Sequence, residues 1–323
     1  MVTRIIFKGG IALRNMLKLM MNATNGYVSL KRELLGVEPN IFLNVAEKCG
    51  FEAIHLGNES DELVTLKRLG IPKIMLYDAD ESNEFRWLNV SDFHVGHPRF
   101  DEDALLRVLE KYYNKVKDSK HKYVFIAGDS CNAVLDDTLS YELVKENNIF
   151  WNRVKCMYDQ QSEKLFSILS RFPLDYIALN GNHEYMFVQL GLPSPLEGIE
   201  NRMRALDINY RFYDTYMMDF IIAGVAVRIM HLEGHLFKDG RNPIYERINE
   251  FRFEKNLVTY YNGKKYPVRF IQSGHRHKKQ ILYDPVNKIY VVEAGSFIKD
   301  EMYDTLPSYY LQGTVSNGGI LFG

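Results

Sequence analysis

Five short apolar runs in this chain stop at the same kinds of residue. Residues 175–179 lead into Asn180-Gly181-Asn182-His183-Glu184, residues 87–90 into Ser91-Asp92-Phe93-His94, and residues 124–127 into Gly128-Asp129. Residues 227–230 stop at His231, and residues 270–273 lead into Gly274-His275-Arg276-His277. Short apolar runs, rich in β-branched residues and bounded by Gly and Asn turn signals, read as buried strands. The pattern therefore predicts strands whose carboxyl ends present Asp, His or Asn.

Longer polar–apolar patterns separate these strands. Residues 101–117 form a long amphipathic helix, about 139–171 an extended helical region, and 193–206 a loop and helix. From Phe220 the chain turns β in character, with strands at 220–222, 225–230, 268–272, 280–283 and 288–292. Asp284-Pro285-Val286-Asn287 marks a hairpin turn between the last two. Strand–helix alternation followed by strands predicts an α/β sandwich of two mixed sheets with helices outside. This catalytic domain is expected over residues 83–323.

Residues 1–82 carry none of the strand-end pattern and are read as a separate small domain. Helical spacing over 11–21, then candidate helices at 30–35 and 40–48, precede β-like runs at 51–56 and 71–77. Three helices and a β-ribbon is the order of a winged helix-turn-helix. Up to Gly50 the basic residues Arg4, Lys8, Arg14, Lys18, Lys31, Arg32 and Lys48 outnumber Glu33, Glu38 and Glu47. The plainer alternative is a helical cap with those charges as its solvated face. Residues 78–83, polar and acidic, are read as the linker.

Composition narrows the function without choosing it. The 323 residues are 46% hydrophobic and 25% charged, with a formal net charge of −1. That is ordinary for a globular chain and gives no global basic field for nucleic acid. Cys49, Cys131 and Cys156 are odd in number and form no CxxC pair, which predicts a reduced, cytoplasmic setting. No run approaches the roughly 20 apolar residues of a membrane helix, and charges interrupt the apolar N-terminus, so neither a membrane partner nor a secretory signal is expected.

The strand ends carry the chemistry. Carboxylate, amide and imidazole ligands without a thiolate suit Mn, Fe or Zn. In Asp92-x-His94 and His275-x-His277, positions i and i+2 of an extended segment point the same way and can share a centre. In open α/β sheets such loops gather outside the carboxyl ends of the strands. Taken singly, each residue is more readily a turn or a surface group. Together, and in this order, they predict a metal site.

The ordered set, D-x-H, G-D, G-N-H-E, a strand-terminal His and G-H-x-H, resembles the calcineurin-like metallophosphoesterase family over roughly residues 85–300. The resemblance implies the family's four-layer sandwich and two divalent cations, Mn foremost, with Fe, Zn or Ni as alternatives. It assigns Asp92, His94, Asp129 and His277 to one cation, and Asp129, Asn182, His231 and His275 to the other. His183 would lie beside the phosphoryl group as the catalytic acid, with Asn132 and His235 contacting phosphate. His235 follows His231 closely, and the family's usual His-Gly-His is two residues longer here, so His231 is favoured as ligand because it abuts the strand. Glu184 is expected to orient a ligand histidine, Cys131 to be a packed residue, His97 and His121 to be surface groups, with His97 near the mouth, and residues 292–297 to pack near the site.

The family's protein phosphatases follow Gly-Asp with an arginine-containing pattern. Here Ser130-Cys131-Asn132-Ala133-Val134 follows instead. The long insertion between Gly-Asp and G-N-H-E resembles phage-associated members and, more loosely, the nuclease subunit of the double-strand-break repair complex. The expected function is thus a phosphodiesterase or nuclease acting on DNA or RNA. Alternatives are a cyclic-nucleotide or other small-molecule phosphodiesterase, a phosphomonoesterase or protein phosphatase, and, last, a non-catalytic scaffold.

Overall fold

Alternating apolar positions along residues 85–127 and 217–230 place one face of each strand in a common interior, and the computed structural model shows how those faces meet. It describes residues 27–31, 51–55, 63–68, 71–77, 85–133, 148–231, 258–275, 277, 279–285, 288–299, 311–316 and 319–322. Contacts divide the chain into two units, residues 1–72 with 135–154, and residues 73–134 with 155–323.

In the first unit, β1 (Tyr27–Lys31), β2 (Phe51–His55) and β3 (Leu63–Arg68) form an antiparallel sheet in the order β1-β3-β2. This corrects two expectations. Leu30 and Lys31 lie in a strand rather than opening a helix, because the alternation in Tyr27-Val28-Ser29-Leu30-Lys31 has the period of a strand and finds a partner in β3. The two β-like runs also fail to pair as a ribbon: β2 pairs with β3, while β4 (Lys73–Tyr77) runs parallel to β9 (Met217–Ile222). The described residues give the winged-helix reading no support. Its helices at 11–21 and 40–48 lie outside them.

In the second unit, a seven-stranded mixed sheet has the order β13-β14-β12-β10-β9-β4, with β11 paired to β12. Its remaining members are β10 (Val225–Met230), β11 (Val258–Tyr261), β12 (Lys264–Ser273), β13 (Lys279–Asp284) and β14 (Ile289–Ala294). A six-stranded sheet has the order β16-β15-β5-β6-β7-β8, built from β5 (Phe85–Val90), β6 (Lys122–Ala127), β7 (Asp175–Leu179), β8 (Tyr210–Tyr213), β15 (Leu311–Ser316) and β16 (Gly319–Phe322). The strands β5 to β8 are mutually parallel, and β10, β12 and β14 are parallel in the other sheet.

Trp87, Phe125 and Ile177 from one sheet share a buried core with Phe220, Val227 and Phe270 from the other. Trp87 meets Phe270 edge-on at 5.9 Å, and Phe125 lies 4.9 Å from Phe220. Each such side chain contributes about 1.5–3 kcal/mol by leaving water. Ile74 and Leu76 of β4 pack on the same core, which explains why this strand joins here.

The helices are α1 (Glu102–Val116), α2 (Asn148–Leu169), α3 (Asn182–Gln189) and α4 (Pro195–Ala205). Asp101 caps α1 by accepting the Ala104 N–H at 3.0 Å, and Glu102 and Asp103 favour its positive end. Tyr112 then ties α1 to the sheet by donating to the carbonyls of Arg86 and Tyr123. The mixed α/β design of two sheets with helices is as the sequence pattern implied. No helix among the described residues is long and apolar enough to cross a membrane.

Candidate metal centre

Each ligand candidate stands just past a strand. Asp92 and His94 follow β5, Asp129 follows β6, Asn182 opens α3 after β7, His231 follows β10, and His275 and His277 follow β12. Because β5, β6 and β7 are parallel, their ends coincide. Five of these residues, Asp92, His94, Asp129, His275 and His277, have φ between 50° and 86°. Non-glycine residues rarely occupy that left-handed region. Here it turns successive side chains back toward one point.

Glycine makes the convergence possible at two places. A Cβ on Gly181 would fall 2.1 Å from Asp129 Oδ1, and one on Gly274 would fall 2.1 Å from Ser91 Oγ. Any side chain at either position would push a ligand loop out of place. The glycines of the motifs therefore serve close approach of loop to loop.

The donors fall into three overlapping groups: Asp92, His94 and His277; Asp129, His231 and His275; and His94, Asp129 and His183. In the first, the Nε2 atoms of His94 and His277 are 2.8 Å apart, and Asp92 Oδ1 lies 3.5 Å from His277 Nε2 and 3.9 Å from His94 Nε2. In the second, His231 Nε2 lies 3.1 Å from Asp129 Oδ2. Asn182 Oδ1 joins it, 3.0 Å from His231 Nε2 and 2.9 Å from His275 Nδ1. His183 Nε2 stands 3.9 Å from Asp129 Oδ2, and its ring meets that of His94 edge-on at 4.6 Å.

Crowding these groups out of water distorts their acidities. Burial, reinforced by Asp129 and opposed by His231, pushes the Asp92 carboxyl up to about 7. Burial would raise Asp129 too, but His231 and the other imidazoles hold it well below the usual carboxylate range. Burial would likewise lower His231, yet its pairing with Asp129 lifts it to about 10. Burial takes His94 and His275 down to about 3, with neighbouring imidazoles adding to the effect, and lowers His277. Of the five imidazoles facing the two carboxylates, His94, His275 and His277 are thereby biased toward the neutral form, the one that can bind a cation, and His231 toward the protonated form.

The surrounding residues hold one candidate ring, that of His231, and otherwise the loops. His231 Nδ1–H donates to Ala127 O at 2.7 Å, so Nε2 is the ring atom that becomes available to the centre once its own proton leaves. Glu184 is fully buried and accepts the N–H groups of Asp129 at 2.9 Å, Cys131 at 2.8 Å and Gly181 at 2.8 Å. It was expected to orient a histidine. It instead ties the Asp129 loop to the start of α3, since its position in the first helical turn faces backbone N–H groups. Burial and the Asp129 charge raise its carboxyl to about 7. Asp129 Oδ1 in turn accepts the His183 N–H at 2.9 Å.

Residues 292–297 pack against the site as expected. Ser296 Oγ–H and the Phe297 N–H both donate to Asp92 O at 3.1 Å, and Phe297 meets Phe93 edge-on at 5.3 Å. Sequence reading missed Asn180. Its side chain donates to Asp214 and accepts the Ser194 hydroxyl at 2.9 Å, which anchors the strand end before Gly181.

Asn132 is buried, with its N–H donating to Val95 O at 3.0 Å. Cys131 is a free, buried thiol that burial pushes well above its ordinary range, so it is no ready nucleophile. His97 is half-buried and accepts the Arg99 N–H at 3.0 Å, while His121 stacks at 6.4 Å on Tyr123 beside the opening of β6, the strand end remote from the ligands. His235 lies outside the described residues.

No family model matches the chain, and no curated protein matches it. Among solved structures, it is similar to a conserved uncharacterized protein, a predicted phosphoesterase, from Streptococcus pneumoniae TIGR4, at 13% identity and TM-score 0.34 over 73% of this chain and 86% of that one. Wild-type Vps29 complexed with zinc from Entamoeba histolytica gives 12% identity and TM-score 0.32 over 74% of this chain and 97% of that one. Vacuolar protein sorting 29 from Cryptosporidium parvum gives 10% identity and TM-score 0.35 over 75% and 97%.

Proposed function

We propose that this chain is a calcineurin-like metallophosphoesterase that holds two divalent cations and hydrolyses phosphodiesters, with DNA or RNA as the favoured substrate. One observation carries the reading. Asp129 Oδ2 stands 3.9 Å from His94 Nε2 and 3.1 Å from His231 Nε2; it groups with His94 and His183 on one side and with His231 and His275 on the other, while His94 also groups with Asp92 and His277.

The residues fit the ions. All donors are nitrogen or oxygen, which suits Mn, Fe, Zn or Ni, and the resemblance puts Mn first. Neighbouring donors of a six-coordinate cation stand about 3 Å apart, and the donors here are separated by 2.8 to 3.9 Å. One cation would be held by Asp92, His94, Asp129 and His277, the other by Asp129, Asn182, His231 and His275. When bound, such a pair supplies activated water and offsets charge in an in-line displacement at phosphorus.

The chain supplies the rest. His183, whose side chain is 23% exposed and whose N–H is fixed by Asp129, gives a proton to the leaving oxygen. Asn132 and His235 contact the phosphate. Ser130-Cys131-Asn132 after Asp129 offers no arginine, which weighs against a phosphoprotein substrate. The basic excess before Gly50 favours nucleic acid over a small diester.

The test joins elemental analysis to a substrate panel of mono- and diesters, cyclic nucleotides, RNA and single- and double-stranded DNA. Two equivalents of cation and chelator-sensitive hydrolysis of bis-p-nitrophenyl phosphate and of a nucleic acid are the expected result. A protein that retains its cations but hydrolyses no ester would instead be a scaffold.

A further inference from the structure

The two loops carrying Asp92 and Asp129 continue the β5–β6 ladder beyond the strands. Asp92 N–H donates to Gly128 O at 3.1 Å, His94 N–H to Asp129 O at 2.9 Å, Val95 N–H to Ser130 O at 2.9 Å, and Asn132 N–H to Val95 O at 3.0 Å. Such a ladder has to end somewhere, and it ends at Asn132.

Gln161 of α2 closes that end. Its Oε1 is a second acceptor for the Asn132 N–H, at 2.9 Å beside Val95 O at 3.0 Å, and its Nε2 donates to Asn132 O at 2.9 Å. One primary amide thus meets both main-chain groups of Asn132 as an adjacent strand would. The side chain, 5% exposed, also fills the space above Gly96, where an added Cβ would fall 2.4 Å from Gln161 Nε2. It touches both ligand loops at once. Glu184 grips the same loop from α3, at Asp129 and Cys131. The ligand end and the Asn132 end therefore have separate holders.

We propose that Gln161 is a positioning residue that sets Asn132 for contact with the phosphoryl group, a role distinct from holding the cations. The proposal rests on the function given above. It follows that Gln161 acts on phosphate binding and turnover through Asn132, while Glu184 acts on the Asp129 end.

The experiment uses the full-length, cation-loaded protein with Gln161→Leu, Gln161→Glu, Asn132→Ala and the Gln161→Leu/Asn132→Ala double variant. Cation content, inorganic phosphate affinity by calorimetry, kcat and KM on bis-p-nitrophenyl phosphate, and hydrogen exchange of the Asn132 amide are measured. Gln161→Leu is expected to keep both cations, to speed exchange at Asn132, and to lower phosphate affinity and kcat/KM about 10-fold, the lower end of what outer supports contribute. Gln161→Glu keeps the bond from the Asn132 N–H but sets a buried carboxylate oxygen against Asn132 O, and does not rescue the loss. In the Asn132→Ala background Gln161→Leu adds no further loss.

Loss of cations from Gln161→Leu, unchanged phosphate affinity, an equal loss in the Asn132→Ala background, or a cation-loaded protein that binds no phosphate would each overturn the proposal. A wild type that binds phosphate yet hydrolyses no ester overturns the proposed function instead. The phosphate arm still decides the role of Gln161 in that case.

Discussion

The two halves of the candidate centre are built to different standards. Around Asp129, His231 is fully buried, its Nδ1–H is held by Ala127 O, and Asn182 Oδ1 lies within 3.0 Å of two imidazoles. Around Asp92, the His277 side chain is 39% exposed, and His94 Nδ1 is buried with no hydrogen-bond partner among the described residues. An outer hydrogen bond fixes a ligand ring and raises its basicity. The half with such a bond should keep its cation, and the half without one should exchange it. Neighbouring halves of one centre can therefore hold ions with unequal tenacity through their supports alone.

The largest effect is expected where the halves join. Asp129→Asn should abolish cation-dependent diester hydrolysis and lower cation content below two per chain. Near-normal turnover by the pure variant would remove the shared carboxylate from the account. His183→Ala comes next, with both cations retained and kcat reduced by about 10²–10⁴-fold, the usual contribution of a positioned acid. If it strips cations, His183 is a ligand of the group it forms with His94 and Asp129.

The comparison itself is tested by His277→Ala against His231→Ala. His277→Ala should lose one cation under dialysis and regain activity in excess Mn, whereas His231→Ala should not be restored. Equal rescue of both variants would erase the distinction between the halves. The smallest effect is expected at Ser194, whose hydroxyl caps α4 at Leu196 N–H and donates to Asn180. Ser194→Ala should cost about 1–2 kcal/mol in thermal or denaturant unfolding and leave kcat nearly unchanged.

The site was far more legible in the sequence than its supports. Asp92, His94, Asp129, His231, His275 and His277 each stand within four residues of the end of an apolar run, so local pattern and turn residues give away their place. Gln161 had no such mark. Within α2 it is one polar residue among many, and only the third dimension shows that it meets Asn132. The role of Glu184 was misread for a related reason: the sequence showed a carboxylate beside a histidine, while the first turn of α3 directed it to backbone N–H groups.

The same division holds for the fold. The strands β5, β6, β7 and β10 are strong local signals. In contrast, β15 becomes a strand by pairing antiparallel with β5, more than two hundred positions away, and its Gly313 weakens the local pattern. In the N-terminal unit, Tyr27–Lys31 was assigned in part to a helix because its partner strand, Leu63–Arg68, was not recognised.

The left-handed backbone at Asp92, His94, Asp129, His275 and His277 bears on descent as well as on catalysis. Each such conformation costs on the order of 1–3 kcal/mol in a residue other than glycine, a burden that selection removes once it serves nothing. A lineage that kept this architecture merely as a platform would drift toward Gly or Asn at these five places. Use of these five side chains as ligands would be a reason for the chain to carry that cost.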